Sequence, residues 1–359
     1  MKYYSVGDVA FNPFNSSQIL SSGHDFVVRL WEIPDDDSDD DVEGLHAIRD
    51  IRFDDIPQDL IYKPDGSALA ITCRDATVSL FDSQEIFEST MDAPTKSAKF
   101  PVAPKGMGHA TGTTIWGDGP SKHILFTSSE PQRADVGDRG FHRAFDVLKG
   151  VRVIEFDATE AGDAAAVSPD GTTLVLITSG EGDSHPVRLY DVRRRQGHAY
   201  ETEALEKFFP RQSCGPSQEL EVTKASFLSD GRLLALARND NMVHIYDVRA
   251  WSRGPLCRFE HHDSDVVGGE GYGVVEIKWI EGRGRVGIVS GGNDGCVRLW
   301  EPALANTDEA QGAVIGRTDF DVGHFSIGDP WRGEKPLIIG DSGGAMHIYD
   351  FTNDDGVPI

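Results

Sequence analysis

Apolar and polar side chains alternate along short stretches of this chain, and the same short pattern recurs from end to end. VVRLWEI (Val27 to Ile33), TVSLFDS (Thr77 to Ser83), PVRLYDV (Pro186 to Val192), MVHIYDV (Met242 to Val248), CVRLWEP (Cys296 to Pro302) and AMHIYDF (Ala345 to Phe351) each place an apolar residue at every second position. Each closes with an aromatic residue followed by an acid. A period of two belongs to a β-strand packed on one face against a neighbouring layer, and repetition at this spacing marks a repeat architecture.

A second apolar run precedes each ending: QILSSGHD from Gln18, SALAITCRD from Ser67, TTLVLITSGEGD from Thr172, RLLALARND from Arg232, RVGIVSGGND from Arg285 and KPLIIGDSGG from Lys335. Before three of these lie short strands entering the turns YKPDG (Tyr62 to Gly66), VSPDG (Val167 to Gly171) and LSDG (Leu228 to Gly231). There Gly accepts a positive φ and Asp bonds back to its own backbone. Each unit therefore reads strand, turn, strand, turn, strand, with a more variable outer strand to follow. One unit is disguised. TTIWG (Thr113 to Gly117) and HILFTSS (His123 to Ser129) give its first two strands. Room for an outer strand remains only if HRAFDV (His142 to Val147) is the third and VRVIEF (Val151 to Phe156) the fourth, which makes residues 130–141 an insertion. The total is seven units.

On these endings, above all Trp31-Glu32 and Trp300-Glu301, the chain resembles the WD-repeat β-propeller family over nearly its whole length. The resemblance implies an all-β fold, a seven-bladed β-propeller of four-stranded antiparallel blades around a central channel. The blades are expected at about residues 6–53, 58–103, 112–157, 164–210, 222–260, 274–317 and 320–351, the last closed by residues 2–6. It also implies a His, Ser or Thr, Asp and Trp chain of hydrogen bonds inside a blade. Ser290, Asp294 and Trp300 match three of its places, and Ser22, Asp25 and Trp31 match them approximately. His261 and His262 are expected to contribute the capping histidine of blade six, and Phe208 and Phe209 to form the outer strand of blade four or else to anchor a partner.

Two endings continue to an arginine, Asp191-Val192-Arg193 and Asp247-Val248-Arg249. The Asp caps the strand end, but packing does not demand Arg, since Gln84 and Thr352 occupy the place elsewhere. The resemblance supplies a reason. WD-repeat substrate receptors of cullin-RING ubiquitin ligases carry an aromatic-Asp-x-Arg ending in consecutive blades, which binds the adaptor that resembles a damage-specific DNA-binding protein. A local ion pair with the preceding Asp is the alternative. The insertion PQRADVGDRGFHR (Pro131 to Arg143) offers Arg133, Arg139 and Arg143 to an acidic or phosphorylated ligand, or is an ordinary loop.

The run DDDSDDDVEG, residues 35–44, places seven acids in ten residues. Such crowding reads as a solvated loop, or as an attractor for basic, histone-like peptides whose grip salt would weaken. It lacks the spacing of a calcium loop. His261 and His262 have no third ligand at diagnostic spacing, so no metal is expected. Nucleophile elbows, phosphate-binding loops and His-Glu-x-x-His are all missing, which argues against an enzyme and against a cofactor. An enzyme with an active site at the channel mouth remains the competing class.

Length and charge narrow this further. The 359 residues suit one large domain, and the formal charge of -25 opposes direct nucleic-acid binding. The four cysteines are scattered without a Cys-x-x-Cys pair. The start lacks a signal-peptide core, and no run is long enough for a membrane span. The expectation is a monomeric protein of the nucleus or cytoplasm that binds proteins or peptides, a ligase adaptor or basic peptides among them, and serves as an interaction scaffold.

Overall fold

The computed structural model describes residues 6–33, 46–88, 96–133, 139–179, 186–205, 221–261, 273–282, 284–305, 312–328 and 335–349. Each repeat unit becomes one antiparallel sheet with its strands in chain order. The first holds β1 (Val6–Asn12), β2 (Asn15–Gly23), β3 (Val27–Glu32) and β4 (His46–Arg52), and the second β5 (Pro57–Tyr62), β6 (Ala68–Cys73), β7 (Thr77–Asp82) and β8 (Ala98–Pro101). The third holds β9 (His109–Trp116), β10 (Ile124–Pro131), β11 (His142–Asp146) and β12 (Val151–Glu155). The fourth is β13 (Gly162–Val167), β14 (Thr173–Thr178), β15 (Pro186–Asp191) and β16 (Glu201–Ala204), and the fifth β17 (Val222–Phe227), β18 (Leu233–Arg238), β19 (Met242–Asp247) and β20 (Cys257–Glu260). The sixth has β21 (Glu276–Gly282), β22 (Arg285–Gly291), β23 (Cys296–Trp300) and β24 (Ala313–Arg317). The seventh shows three strands among the described residues, β25 (Val322–Ile327), β26 (Leu337–Asp341) and β27 (Met346–Tyr349). The fold is an all-β, seven-bladed propeller.

Its core is not one cluster but a ring of contacts between neighbouring blades. The second strand of each blade is packed on both faces, which is why LLALAR and TLVLIT are nearly continuous apolar runs. Ala164, Val175, Ile177 and Leu189 of blade four meet Val222, Leu234, Leu236 and Tyr246 of blade five. Val9, Phe11 and Ile19 of blade one meet Ile338 of blade seven, which closes the ring. Val6 begins β1, opposite Gly23. Of the expected closing strand, residues 2–6, all but Val6 lie outside the described residues, as do the acidic run 35–44, Phe208 and Phe209. The outer strand of blade four is instead Glu201–Ala204, paired with β15 from Leu189↔Glu201 to Pro186↔Ala204. Reading Phe208 and Phe209 as that strand followed their apolarity, whereas an outer strand is open to solvent and needs none.

The first-to-second turns follow their chemistry. Asp65, Asp170 and Asp230 accept from the backbone N–H two residues on, at 3.0, 3.1 and 2.8 Å. Gly171 takes φ +67, and a Cβ there would lie 2.0 Å from the Asp118 carbonyl oxygen. One element was not expected, a short helix α1 (Ser83–Glu88) after β7. Asp82, the terminal acid of TVSLFDS, accepts from Glu85 N–H at 3.1 Å, and Ile86 is fully buried beneath the helix.

Blade six contains the full hydrogen-bonded chain. His261 Nδ1 meets Asp294 Oδ1 at 2.9 Å, its Nε2 meets Ser290 Oγ at 2.6 Å, and Trp300 Nε1 donates to Ser290 Oγ at 2.7 Å. In blade one Trp31 Nε1 donates to Ser21 Oγ at 2.8 Å, not to Ser22, whose hydroxyl donates to the Gln58 carbonyl of blade two. Asp25 pairs with Arg29.

Candidate protein-interaction face

The third strand of a blade ends beside the turn between its first and second strands. Val192 N–H donates to Thr172 O at 3.0 Å in blade four, and Val248 N–H to Arg232 O at 3.0 Å in blade five. The two Asp-x-Arg endings therefore emerge on one face of the ring, in adjacent blades. Asp191 caps a single 3-10 turn, Val192–Arg194, by accepting from Arg193 N–H at 3.1 Å. Its carboxylate also receives Arg193 Nε at 2.8 Å and Nη2 at 2.9 Å. Asp247 repeats the geometry: Arg249 N–H at 3.0 Å, Nε at 2.9 Å and Nη2 at 2.7 Å.

The Asp side chains are mostly covered, at 15 and 21 % exposed, while Arg193 and Arg249 are 62 and 63 % exposed. Each guanidinium is held edge-on by two parallel bonds, the geometry that suits a planar fork. Nη1 of each has no hydrogen-bond partner among the described residues. The hydrogen bonds and charge of Arg249 hold Asp247 down at about 2, and Arg193 lowers Asp191 in the same way. Both pairs are thus fully ionised across the physiological range. As surface pairs they add little to stability; what they add is a fixed orientation for a cation.

Between the two blades, on this same face, lies a groove of about 610 Å3. Val175, Leu189, Phe227 and Val248 line it, with Asp170, Asp230 and Arg249 also on its wall. Tyr200 stands beside it, 56 % exposed. The groove was not legible in the sequence, since it forms between residues of two repeats.

The insertion arginines do not form a second patch. Arg133 is exposed, and Arg139 is exposed with its guanidinium 5.5 Å from the centre of the Phe141 ring. Arg143 is buried within β11. It donates through Nη1 to the Pro101 carbonyl of blade two at 3.0 Å, and Nη2 lies 3.8 Å from Glu155. This makes Arg143 a joint between blades rather than a reader of ligands. Residues 134–138 of the insertion lie outside the described residues.

Among the described residues no group of three or more His, Cys, Asp or Glu is arranged to hold a metal ion, and no helix is long and apolar enough to cross a membrane. Sequence reasoning also missed an ionic chain across the channel. His324 Nδ1 meets Asp8 Oδ1 at 2.8 Å and its Nε2 meets Glu276 Oε2 at 3.0 Å, while Lys224 Nζ lies 2.9 Å from that same oxygen. The chain spans blades one, seven, six and five. Burial alone would lower the His324 pKa, but Asp8 and Glu276 override it and hold the imidazole up at about 10. Burial likewise opposes the charge on Glu276, which Lys224 and His324 nevertheless hold at about 2.

No family model matches the chain, and neither does any curated protein. Among solved structures, that of the Dos1 propeller is similar, with a TM-score of 0.64 and 17 % sequence identity, covering 97 % of this chain and 78 % of that one. At this identity the likeness concerns the fold.

Proposed function

We propose that the protein is an interaction scaffold that docks a partner on the face carrying Arg193 and Arg249, and that it serves as a substrate receptor of a cullin-RING ubiquitin ligase. The observation that supports this is the duplicated Asp-x-Arg geometry: two exposed guanidinium groups in adjacent blades, each orientated by a bidentate bond to a covered carboxylate. Side chains already fixed lose less entropy when a partner binds. The free Nη1 of each offers directed donors to a carboxylate or carbonyl on the adaptor.

Each arginine is paired with an Asp, although Asp191 also meets Arg194 Nε at 3.2 Å, so recognition draws on hydrogen-bond direction as well as on charge. The test is binding of the purified adaptor, the one resembling a damage-specific DNA-binding protein, to wild type and to the double variant Arg193→Glu, Arg249→Glu. Loss of binding with an unchanged thermal melt supports docking at this face. Equal affinity assigns both arginines to local ion pairs alone. The competing reading, a basic histone-like peptide held by the acidic run, rests on residues outside those described.

A further inference from the structure

The Asp-clamped cations extend one blade beyond the two Asp-x-Arg endings. In blade three, β11 closes with Phe145-Asp146, and the next residue, Val147, donates its N–H to His123 O at 3.0 Å. That bond corresponds to those made by Val192 and Val248, so this ending emerges on the same face. The Asp146 carboxylate accepts from Lys149 N–H at 3.2 Å and meets Lys149 Nζ at 3.2 Å. Asp146 is covered while Lys149 is 60 % exposed, the same division as in blades four and five. The cation stands three residues after the acid rather than two, in a longer turn that Gly150 closes at φ +66. The three blades also meet on this face. Gly171 of blade four lies against the Asp118 carbonyl of blade three, and a Cβ on Gly231 of blade five would touch Pro169 of blade four.

Each third-to-fourth connection in these blades exposes a large apolar side chain as well. Leu148, beside Lys149, is 71 % exposed, more than any other large apolar residue described, and Tyr200 and Leu256 are more than half exposed. Tyr200 and Leu256 stand immediately before β16 and β20, their N–H groups donating to Leu189 O at 2.9 Å and Ile245 O at 2.7 Å. Among the described residues, the corresponding connections of blades one, two and six hold no such side chain. Single exposed apolar residues are ordinary. One in the same connection as an oriented cation, in each of three consecutive blades, has the composition of an interface, where apolar contacts sit among directed polar groups.

We propose that the docking face is an arc over blades three, four and five, occupied by one folded protein that offers apolar hollows to Leu148, Tyr200 and Leu256 and hydrogen-bond acceptors to Lys149, Arg193 and Arg249. This rests on the docking reading above and adds blade three to it. The Lys149 ammonium has three donors, of which Asp146 takes one, so two remain for a carboxylate of the partner. Contacts spread over three blades suit a preformed surface better than a short tail, because hollows already in place lower the cost of ordering.

The test is binding of the purified adaptor named above to wild type and to Leu148→Ser, Lys149→Gln and Phe14→Ser, each with a thermal melt. Phe14 is the control, being exposed in the first turn of blade one, on the same face but outside the arc. Leu148→Ser weakens binding by at least about tenfold, a difference of about 1.4 kcal/mol. Lys149→Gln weakens it about fivefold at low salt and less at high salt, where screening already reduces the charge contribution. Phe14→Ser changes it by less than about twofold, and all three melts match wild type, since exposed substitutions touch no core. If the adaptor binds and requires Arg193 and Arg249 but is indifferent to Leu148→Ser and Lys149→Gln, the arc is overturned and the two-blade docking site stands. An equal loss from Phe14→Ser also overturns the arc, because it assigns the effect to apolar surface in general. No binding of the adaptor by wild type overturns both.

Discussion

Replacing Ser290 with Ala removes a single oxygen atom from the interior of blade six. Ser290 is fully buried, and Trp300, Asp294 and His261 around it are 1, 3 and 4 % exposed. That oxygen receives the Trp300 indole N–H at 2.7 Å and meets His261 Nε2 at 2.6 Å. Without it, the indole N–H and one imidazole nitrogen stay buried with no partner. An unsatisfied buried group costs about 1–3 kcal/mol, so Ser290→Ala is expected to destabilise the protein by ~2–4 kcal/mol. Ser21→Ala provides an internal scale. Ser21 also accepts from an indole, that of Trp31 at 2.8 Å, but Trp31 is only half-buried and water can replace the lost hydroxyl. The cost there is expected to be about 1 kcal/mol or less. Urea denaturation followed by tryptophan fluorescence, with slopes compared as well as midpoints, measures both. If Ser290→Ala costs no more than Ser21→Ala, the buried chain is not the staple described above.

Other outcomes follow from the same structure. His324 is held protonated by Asp8 and Glu276 up to about pH 10, against an ordinary value of 6.5. Its contribution is therefore fully present below pH 6.5 and is lost as pH rises towards 10. The stability gap between wild type and His324→Gln, measured by denaturation across that range, narrows accordingly. Glu276, depressed to about 2 from 4.5, behaves in the opposite sense. Its stabilisation is present above 4.5 and disappears as pH falls towards 2, so Glu276→Gln differs least from wild type in acid. Arg143→Ala breaks the link to the Pro101 carbonyl and lowers the urea midpoint by an amount equivalent to about 1–3 kcal/mol, whereas Arg133→Ala leaves it within about 0.5 kcal/mol.

The strand order was legible because each blade repeats one pattern under one constraint. A second strand covered on both faces has to be apolar throughout, and a third strand has to alternate. His142 to Asp146 could be placed as a third strand by counting the room left for a fourth, and it closes with an aromatic and an acid, Phe145-Asp146, as the other third strands do. The blade-one staple shows how a single position matters. The expected Ser22 lies three residues before Asp25, whereas in blade six Ser290 lies four before Asp294, a spacing that in blade one already selects Ser21. The indole sets the true spacing: Trp31 to Ser21 and Trp300 to Ser290 are both ten residues apart. A slip of one residue in a strand moves a side chain to the other face, which is why the hydroxyl of Ser22 reaches blade two. Arg143 was read as loop chemistry although it falls inside the expected strand, where its side chain had to face a neighbouring blade.

The site was legible only in its local half. Asp-Val-Arg in two endings could be read as a capped turn with an attached guanidinium, since all the atoms come from adjacent residues. The groove between blades four and five and the ionic chain through His324 could not. Each joins residues from different repeats: Lys224 and Glu276, for instance, are brought together by ring geometry alone. No local pattern in the first strands marks them, because these strands are short and several carry a bulge near the ionisable residue, as between Val222 and Lys224.

The most direct measurement is affinity capture from native extract followed by mass spectrometry, with wild type compared with Arg193→Glu, Arg249→Glu and with a control, Asp163→Asn, Glu221→Gln, at the channel mouth on the opposite face. Matched thermal melts establish that all three proteins are folded. The expected result is recovery of a cullin-RING adaptor by wild type and by the channel-mouth variant, and its loss from the arginine variant alone. Recovery of the adaptor by all three, or by none, would contradict a docking face built on Arg193 and Arg249.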